Sequence, residues 1–563
     1  MSKLDHSRRH FLKTVAAGST VAVTGIGLTG CNLADIVSFS HGVASGDPLA
    51  DRVIIWSRLT PQFPAHYPIN WQVATDRRFA NIVKSGSVTA GAERDYTIKV
   101  DVDGLMPATE YYYRFEFFGK TSAVGKTKTL PVGDVSSVRM AVFSCSNYPA
   151  GYFNVYREAA LRDDLDAVLH LGDYIYEYEK DGYASEDALS LGRVSVPAHE
   201  LRTLDDYRKR YAQYRSDSDL QALHAKVPFI VVWDDHEISN DTYKDGAENH
   251  DPMTEGEFYV RRSAAIQAFY EWLPLREQDA QQPERIYRSF DFGNLLSLHM
   301  LDTRVIGRDK QLDYAGYFDT QTGAFDGAGF QADLGDVNRQ LLGAEQTQWL
   351  QSQMAASNAQ WQILGQQVLM GRMDIPAPLV TQQISFSDYT SLLIKGQAAS
   401  AELSPQEQAI LAQPAIPYNL DAWDGYFVAR ETVLQTALQL DKNLIVLSGD
   451  THNAWANDLK DMHGNQAGVE FATSSVSSPG LEDYFPNEQP DAVAAGLTQM
   501  IEPLKFANTE LRGYMLLTVT PESAQADWHF VDTVKSGQYS MVTGKSKMLR
   551  VLPGAGNRAI VEG

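Results

Sequence analysis

Four short stretches of the chain put metal-ligand residue types straight after an apolar run. FSCSN (Phe143–Asn147) carries Cys145, and GDYIY (Gly172–Tyr176) carries Asp173 and Tyr176. WDDHEISND (Trp233–Asp241) offers Asp235, His236 and Glu237, and SGDTHN (Ser448–Asn453) offers Asp450 and His452. A lone strand-end aspartate is ordinarily a turn former or a helix cap, and a lone buried histidine is ordinarily structural. Thiol, carboxylate, phenol and imidazole recurring at successive strand ends are instead the donor inventory of a metal site.

For these stretches to meet, the runs before them must lie side by side. VRMAVFSCSN, DAVLHLG, PFIVVWDD, LLSLHMLD, WQILGQQVLM, NLIVLSGD and GVEFATSSV are nearly continuous in Val, Ile and Leu. Such runs predict strands buried on both faces. They alternate with helix-like stretches, which predicts an α/β (α+β) core. Ligands of open α/β sheets sit beyond the carboxyl ends of the strands, so the polar clusters should converge there. Residues 180–199 and 310–336, acidic and glycine-rich, read as long surface loops. Upstream, RVIIWSRL, INWQVATD, TIKVDV, EYYYRFEFF and GKTKTL predict an all-β sandwich. Its Leu-x-Pro-x-Thr-x-Tyr-x-Tyr corner resembles a fibronectin type III-like domain, and its Tyr and Trp residues read as core.

A formal net charge of −23 excludes a polyanion-binding surface, so no stable nucleic-acid complex is expected. At 563 residues, 44% of them hydrophobic, the chain has material for two or three cores. The N-terminal SRRHFLK followed by a short glycine-studded apolar run resembles a twin-arginine export signal. It predicts passage through the twin-arginine translocon to the periplasm, the cell surface or the medium. LTGC (Leu28–Cys31) looks like a lipobox, with a membrane tether through lipidated Cys31 as its consequence. Cys145 would then be the one cysteine of the mature protein, which rules out an internal disulfide framework.

GDYIY, with DDHE (Asp234–Glu237) where related enzymes have GNHE and GDTH (Gly449–His452) where they have GH-x-H, resembles the calcineurin-like metallophosphoesterases. FSCSN, WDDHEISND, LDTR (Leu301–Arg304), LGQQV (Leu364–Val368) and SGDTHN together resemble the alkaline phosphatase D (PhoD-like) family. The resemblance covers essentially the whole mature chain. It implies a two-sheet metallophosphoesterase sandwich flanked by helices, behind an N-terminal fibronectin type III-like sandwich. The expected organisation is a signal over 1–31, an N-terminal domain over 39–132, a phosphatase domain over 136–536 and a tail over 537–563.

Carried onto these residues, the resemblance implies one metal held by Cys145, Asp173, Tyr176 and His452, whose soft and phenolic donors suit ferric iron. A second metal would take the other edge of Asp173 with Asp235, Asp450 and Asn240. These oxygen donors suit calcium, with magnesium or manganese as alternatives and a second calcium near Glu237 and Asp241. Gln367, where relatives carry histidine, is a further ligand candidate; its other use is a sheet-end hydrogen bond. The implied reaction is attack on phosphorus by a metal-bridging hydroxide. His236 serves the phosphate or the leaving group, or else orients a ligand, and Arg157 and Arg304 are candidate phosphate clamps. The expectation is therefore a monomeric phosphomonoesterase or phosphodiesterase acting on small phosphate esters. A phospholipase or nucleotide diesterase would use the same site. A lipid-anchored binding protein with structural metals is disfavoured, because structural sites are closed by protein ligands. The serines of TSSVSSPG (Thr473–Gly480) read as a loop after a strand.

Overall fold

A computed structural model describes residues 36–279, 281–319, 321, 325–380 and 383–562. The segment expected to be an export signal and Cys31 lie outside the described residues. The seven apolar runs that precede the candidate ligands are strands, and they divide between two sheets. In the first, Val138–Phe143, Ala167–His170 and Phe229–Val231 are adjacent and parallel, with Val142 opposite Leu169 and Leu169 opposite Ile230. In the second, Leu296–Met300, Trp361–Gly365, Asn443–Ser448 and Gln466–Ala472 run parallel in that order.

The sheets face each other across one apolar core, and the alternation along Asn443–Ser448 shows how. Ile445 and Leu447 point into the core between the sheets, whereas Leu444 and Val446 pack under helices on the other face. Those outer helices, Gly343–Ala356 and Phe427–Gln439, supply Leu350, Met354, Val433 and Leu434. Burial on both faces is why these strands read as unbroken apolar runs. Because the central strands are parallel, all of their carboxyl ends open on one rim.

The N-terminal all-β unit is stitched into this frame edge-on. Tyr67–Ala74, Ile82–Ala90, Glu110–Phe117, Lys120–Thr121 and Gly125–Lys128 form one five-stranded sheet. It packs over Val43–Gly46, Val53–Arg58 and Thr97–Val102, with Tyr111, Tyr113, Phe115 and Phe117 buried between the layers. Those three strands also continue the first sheet, through the pairing of Gly46 with Phe229. Arg288 reinforces the seam from a buried position. Its guanidinium bonds Asp47 at 2.7 Å and the carbonyl of Val231 at 2.9 Å, on the strand that leads to Asp234.

Several strands lie outside the runs singled out above. Ile82–Ala90 is largely solvent-facing, and its apolar residues neither alternate nor form a continuous run, so it carries no core-strand signal. Arg512–Val519 and Ala524–Val531 extend the first sheet, and Lys547–Val551 and Ile560–Glu562 finish its edge. Among the described residues no helix is long and apolar enough to cross a membrane.

Candidate active site

The candidate ligands sit where strands end in strained turns. Cys145, Asp173, Asp241, Asp450 and His452 all have left-handed backbone, with φ between 53° and 61°. Residues with a Cβ avoid that region, and the strain persists only where surrounding structure holds it. At GDYIY the holding group is Glu237. Its carboxylate accepts the backbone N–H groups of Asp173, Tyr174, Ile175 and Asp234, clamping two strand ends together. The glycines of both Gly-Asp pairs are required by close approach. A Cβ on Gly172 would come within 2.3 Å of the Asp234 Cβ, and one on Gly449 within 2.6 Å of the Ser144 Cβ.

These turns bring the side chains into three overlapping groups, each with donor atoms within 4.8 Å of one another: Cys145 with Asp173 and His452, Asp173 with Asp235 and His236, and Asp234 with Asp235 and Asp450. Asp173 joins the first two groups. Tyr176 completes the Cys145 side, its phenol oxygen 3.1 Å from Asp173 Oδ2 and 3.2 Å from His452 Nε2. His452 turns Nε2 inward because its Nδ1 donates to the Pro479 carbonyl at 2.7 Å. On the opposite side, Arg304 lies buried among Asp234, Asp235, Asp421 and Asp450.

The donor set fits bound cations. Asp173 Oδ1 and Asp234 Oδ2 are buried without any hydrogen-bond partner, a costly arrangement unless a cation faces them. Burial pushes the Cys145 thiol, the Tyr176 phenol and the Asp173 and Asp450 carboxyls well up, and neighbouring carboxylates add to this. Burial brings His452 down to about 3, so the imidazole is neutral and its Nε2 is free to ligate. Burial also opposes charge on Asp235, yet Arg304 and His236 outweigh it and bring that carboxyl down to about 2. Metal binding takes ligands in their deprotonated forms, and a cation would supply the positive charge that the Cys145 side lacks.

Comparison with known proteins decides the family. A family model described as PhoD-like phosphatase matches residues 140–528, and one for the N-terminal domain of PhoD-like phosphatases matches residues 32–131. The chain belongs to the PhoD-like phosphatase family. It is 35% identical over 522 residues to alkaline phosphatase D of Bacillus subtilis (strain 168), covering 88% of this chain and 78% of that protein. A solved structure of PhoD superposes with a TM-score of 0.75 at 32% identity, covering 93% of this chain and 92% of the other. The expected fold class is borne out, and the chain is a metal-dependent phosphoric ester hydrolase.

Within this PhoD-like site, Cys145, Asp173, Tyr176, Asp235, Asp450, His452 and His236 come together. His236 lines the cavity, stacks on Tyr176 with centroids 4.3 Å apart, and bonds Glu177 through Nδ1 at 2.8 Å. Burial works against its charge, but Asp235, Glu177 and Asp173 together hold its pKa above the ordinary imidazole value.

Other expectations are corrected by geometry. Gln367 is spent on the sheet end: its carbonyl accepts from Thr303 at 2.7 Å, and its amide donates to the carbonyls of Trp233 and Leu301. Arg157 lies away from the cavity, paired with Asp219 at 2.7 Å and half in solvent, and clamps no phosphate there. Arg304 is fully buried behind the carboxylates, so it orients them and does not reach substrate. Asn240, by contrast, does line the cavity, where its Oδ1 accepts from Tyr178 at 3.1 Å and its amide donates to Glu248 at 2.7 Å. Glu237, counted as a spare acid for a further calcium, is consumed by the turn it clamps.

Sequence reasoning missed Glu177, Asp421 and Tyr183. Glu177 is four residues after Asp173, and that spacing could have drawn attention to it. Asp421 comes from the long segment between Trp361–Gly365 and Asn443–Ser448, after the short strand Ala415–Pro417, where no apolar run marks it. Tyr183, whose hydroxyl is 3.2 Å from His452 Nδ1, comes from the 180–199 loop.

Proposed function

We propose that this PhoD-like phosphatase is an exported hydrolase that prefers phosphodiesters to phosphomonoesters, with ferric iron on the Cys145 side and calcium among the carboxylates. One observation carries the substrate preference. The cavity, of about 370 Å³, is lined by Asp173, Asp235, Asp241, Asp421, Asp424 and Asp450, and among the described residues no lysine or arginine lines it. A phosphomonoester brings a second negative charge past those of these carboxylates that are not metal ligands, such as Asp241 and Asp424. Like charges 4 Å apart repel by about 1 kcal/mol in water and about 4 kcal/mol at an effective dielectric constant of 20. A diester brings one charge, and the apolar wall of Leu369, Met373 and Leu481 suits its second ester group.

Cations bound here supply Lewis acidity that makes hydroxide available near neutral pH and offsets charge on the phosphoryl oxygens. The chain's own residues do the rest. Asp173 holds the two sides in register, and Arg304 keeps Asp235 and Asp450 aimed at one space. Glu177 accepts a hydrogen bond from His236 Nδ1–H, fixing the ring at the cavity wall and leaving Nε2–H to donate its proton to the departing alkoxide oxygen. Thiol, phenol and imidazole donors support iron, and oxygen donors support calcium. The twin-arginine segment and the lipobox support export and a tether.

The test is a turnover panel on metal-replete protein: bis(p-nitrophenyl) phosphate, p-nitrophenyl phosphate, a phospholipid and single-stranded DNA. The diester should exceed the monoester in kcat/KM by at least about tenfold, the factor that 1.4 kcal/mol of repulsion supplies. Faster monoester turnover would overturn the preference. Highest turnover on the phospholipid or on DNA would instead assign a lipase or nuclease. Elemental analysis finding no iron would sink the metal assignment, and Arg8→Lys with Arg9→Lys leaving export intact would sink the export route.

A further inference from the structure

The serine-rich segment TSSVSSPG has no part in the chemistry above, yet it wraps one side of the site. It leaves the second sheet beside the SGDTHN turn, since Gln466–Ala472 runs parallel to Asn443–Ser448 with Ala472 opposite Ser448. From there it crosses to the end of Val138–Phe143. The Val476 N–H donates to the Ser144 carbonyl at 3.0 Å, and the Ser477 and Ser478 N–H groups both reach the Cys145 carbonyl at 3.4 Å. The Ser475 N–H meets the His452 carbonyl at 3.3 Å, and the Pro479 carbonyl accepts from His452 Nδ1 at 2.7 Å. One short run therefore touches the turns of Cys145 and His452 through backbone groups alone.

Ser478 adds a side-chain contact. Its hydroxyl is fully buried and lies 2.8 Å from the Tyr176 phenol oxygen, with the Cys145 carbonyl at 3.2 Å as the longer alternative. A serine hydroxyl has one proton, and the shorter contact is the better bond. The phenol oxygen thus accepts from Ser478 on one side while facing Asp173 and His452 on the other. Groups that orient a metal ligand in this way govern how tightly the metal is held and the electronic character of the ligand.

We infer that the backbone of Ser475–Gly480 is a neutral collar that positions Cys145 and His452, and that Ser478 is the one member acting through its side chain, a positioning residue that donates a hydrogen bond to the Tyr176 phenol oxygen. Only the colour readout below rests on the iron assignment. A hydrogen bond to a ligating phenolate stabilises its filled orbitals, so losing it lowers the energy of phenolate-to-iron charge transfer. It also leaves the ligand less firmly oriented.

The experiment compares purified metal-loaded wild-type protein with Ser478→Ala, Ser478→Thr and Ser477→Ala. Two quantities are read: the position of the visible band, and the rate at which a chelator strips metal, followed by elemental analysis. Ser478→Ala should shift the band to longer wavelength and release metal about tenfold faster. Ser478→Thr, which keeps the donor, should restore both. Ser477→Ala, whose hydroxyl donates to the Asn147 carbonyl, should match wild type. If Ser478→Ala matches wild type in both readouts, or Ser477→Ala changes them as much, the inference is overturned. Colourless metal-loaded wild-type protein would overturn the iron assignment, and release rates alone would then decide the role of Ser478.

Discussion

The two sides of the site are built by different physics. Around Asp235 and Asp450 the chain concentrates charge and compensates it internally: Arg304 sits among four carboxylates, and Arg308 shares Asp421 with it. Around Cys145, Tyr176 and His452 the contacts are backbone carbonyls, N–H groups and hydroxyls, and Asp173 is the one formal charge among those ligands. Buried charges are tolerated when paired, whereas buried neutral polar groups need only hydrogen bonds. The acidic side can therefore fold with part of its charge compensated before any cation arrives. The Cys145 side can fold uncharged and ionise when metal binds.

Substitutions can break this contrast, and the largest effect belongs to the residue that both sides face. His236→Asn should keep the bound metals and lose about 10²- to 10⁴-fold in kcat, the usual contribution of a proton donor in place. Loss of metal together with activity would make His236 a ligand instead. Next comes the charge hub. Arg304→Met should destabilise the metal-free protein by about 3–5 kcal/mol, because it strands buried carboxylates. Added calcium should recover much of that, and a urea midpoint unmoved by the substitution would show that the hub is dispensable. The smallest effect is at Arg157, which pairs with Asp219 in partial solvent. Arg157→Ala should leave kcat/KM unchanged and shift stability by no more than about 1 kcal/mol; a large loss of turnover would return Arg157 to the phosphate.

How much of this was legible depends on whether a residue's task is written locally. The seven core strands were, because burial on both faces forces unbroken apolar runs. Cys145, Asp173, Tyr176, Asp235, Asp450 and His452 were, because each follows such a run by a few residues. Ile82–Ala90 was not, since a largely solvent-facing strand needs neither an unbroken apolar run nor strict alternation. Arg304 and Arg157 looked alike in sequence; four carboxylates contributed by distant segments assign one to the hub, and a neighbouring helix assigns the other to the surface. Gln367 occupies a ligand-like position, but Thr303, Trp233 and Leu301 satisfy it, and no local pattern records them. Ser478 was passed over because its partner, Tyr176, lies 302 residues away in sequence.

The central claim is that two separately built half-sites meet at Asp173. Metal stoichiometry of purified Asp450→Ala and Asp173→Ala proteins, each measured against wild type by elemental analysis, tests it most directly. Asp450→Ala should lose the metal of the carboxylate side and retain the metal beside Cys145, whereas Asp173→Ala should be depleted of both. Full metal content in Asp173→Ala, or loss of both metals in Asp450→Ala, would contradict it.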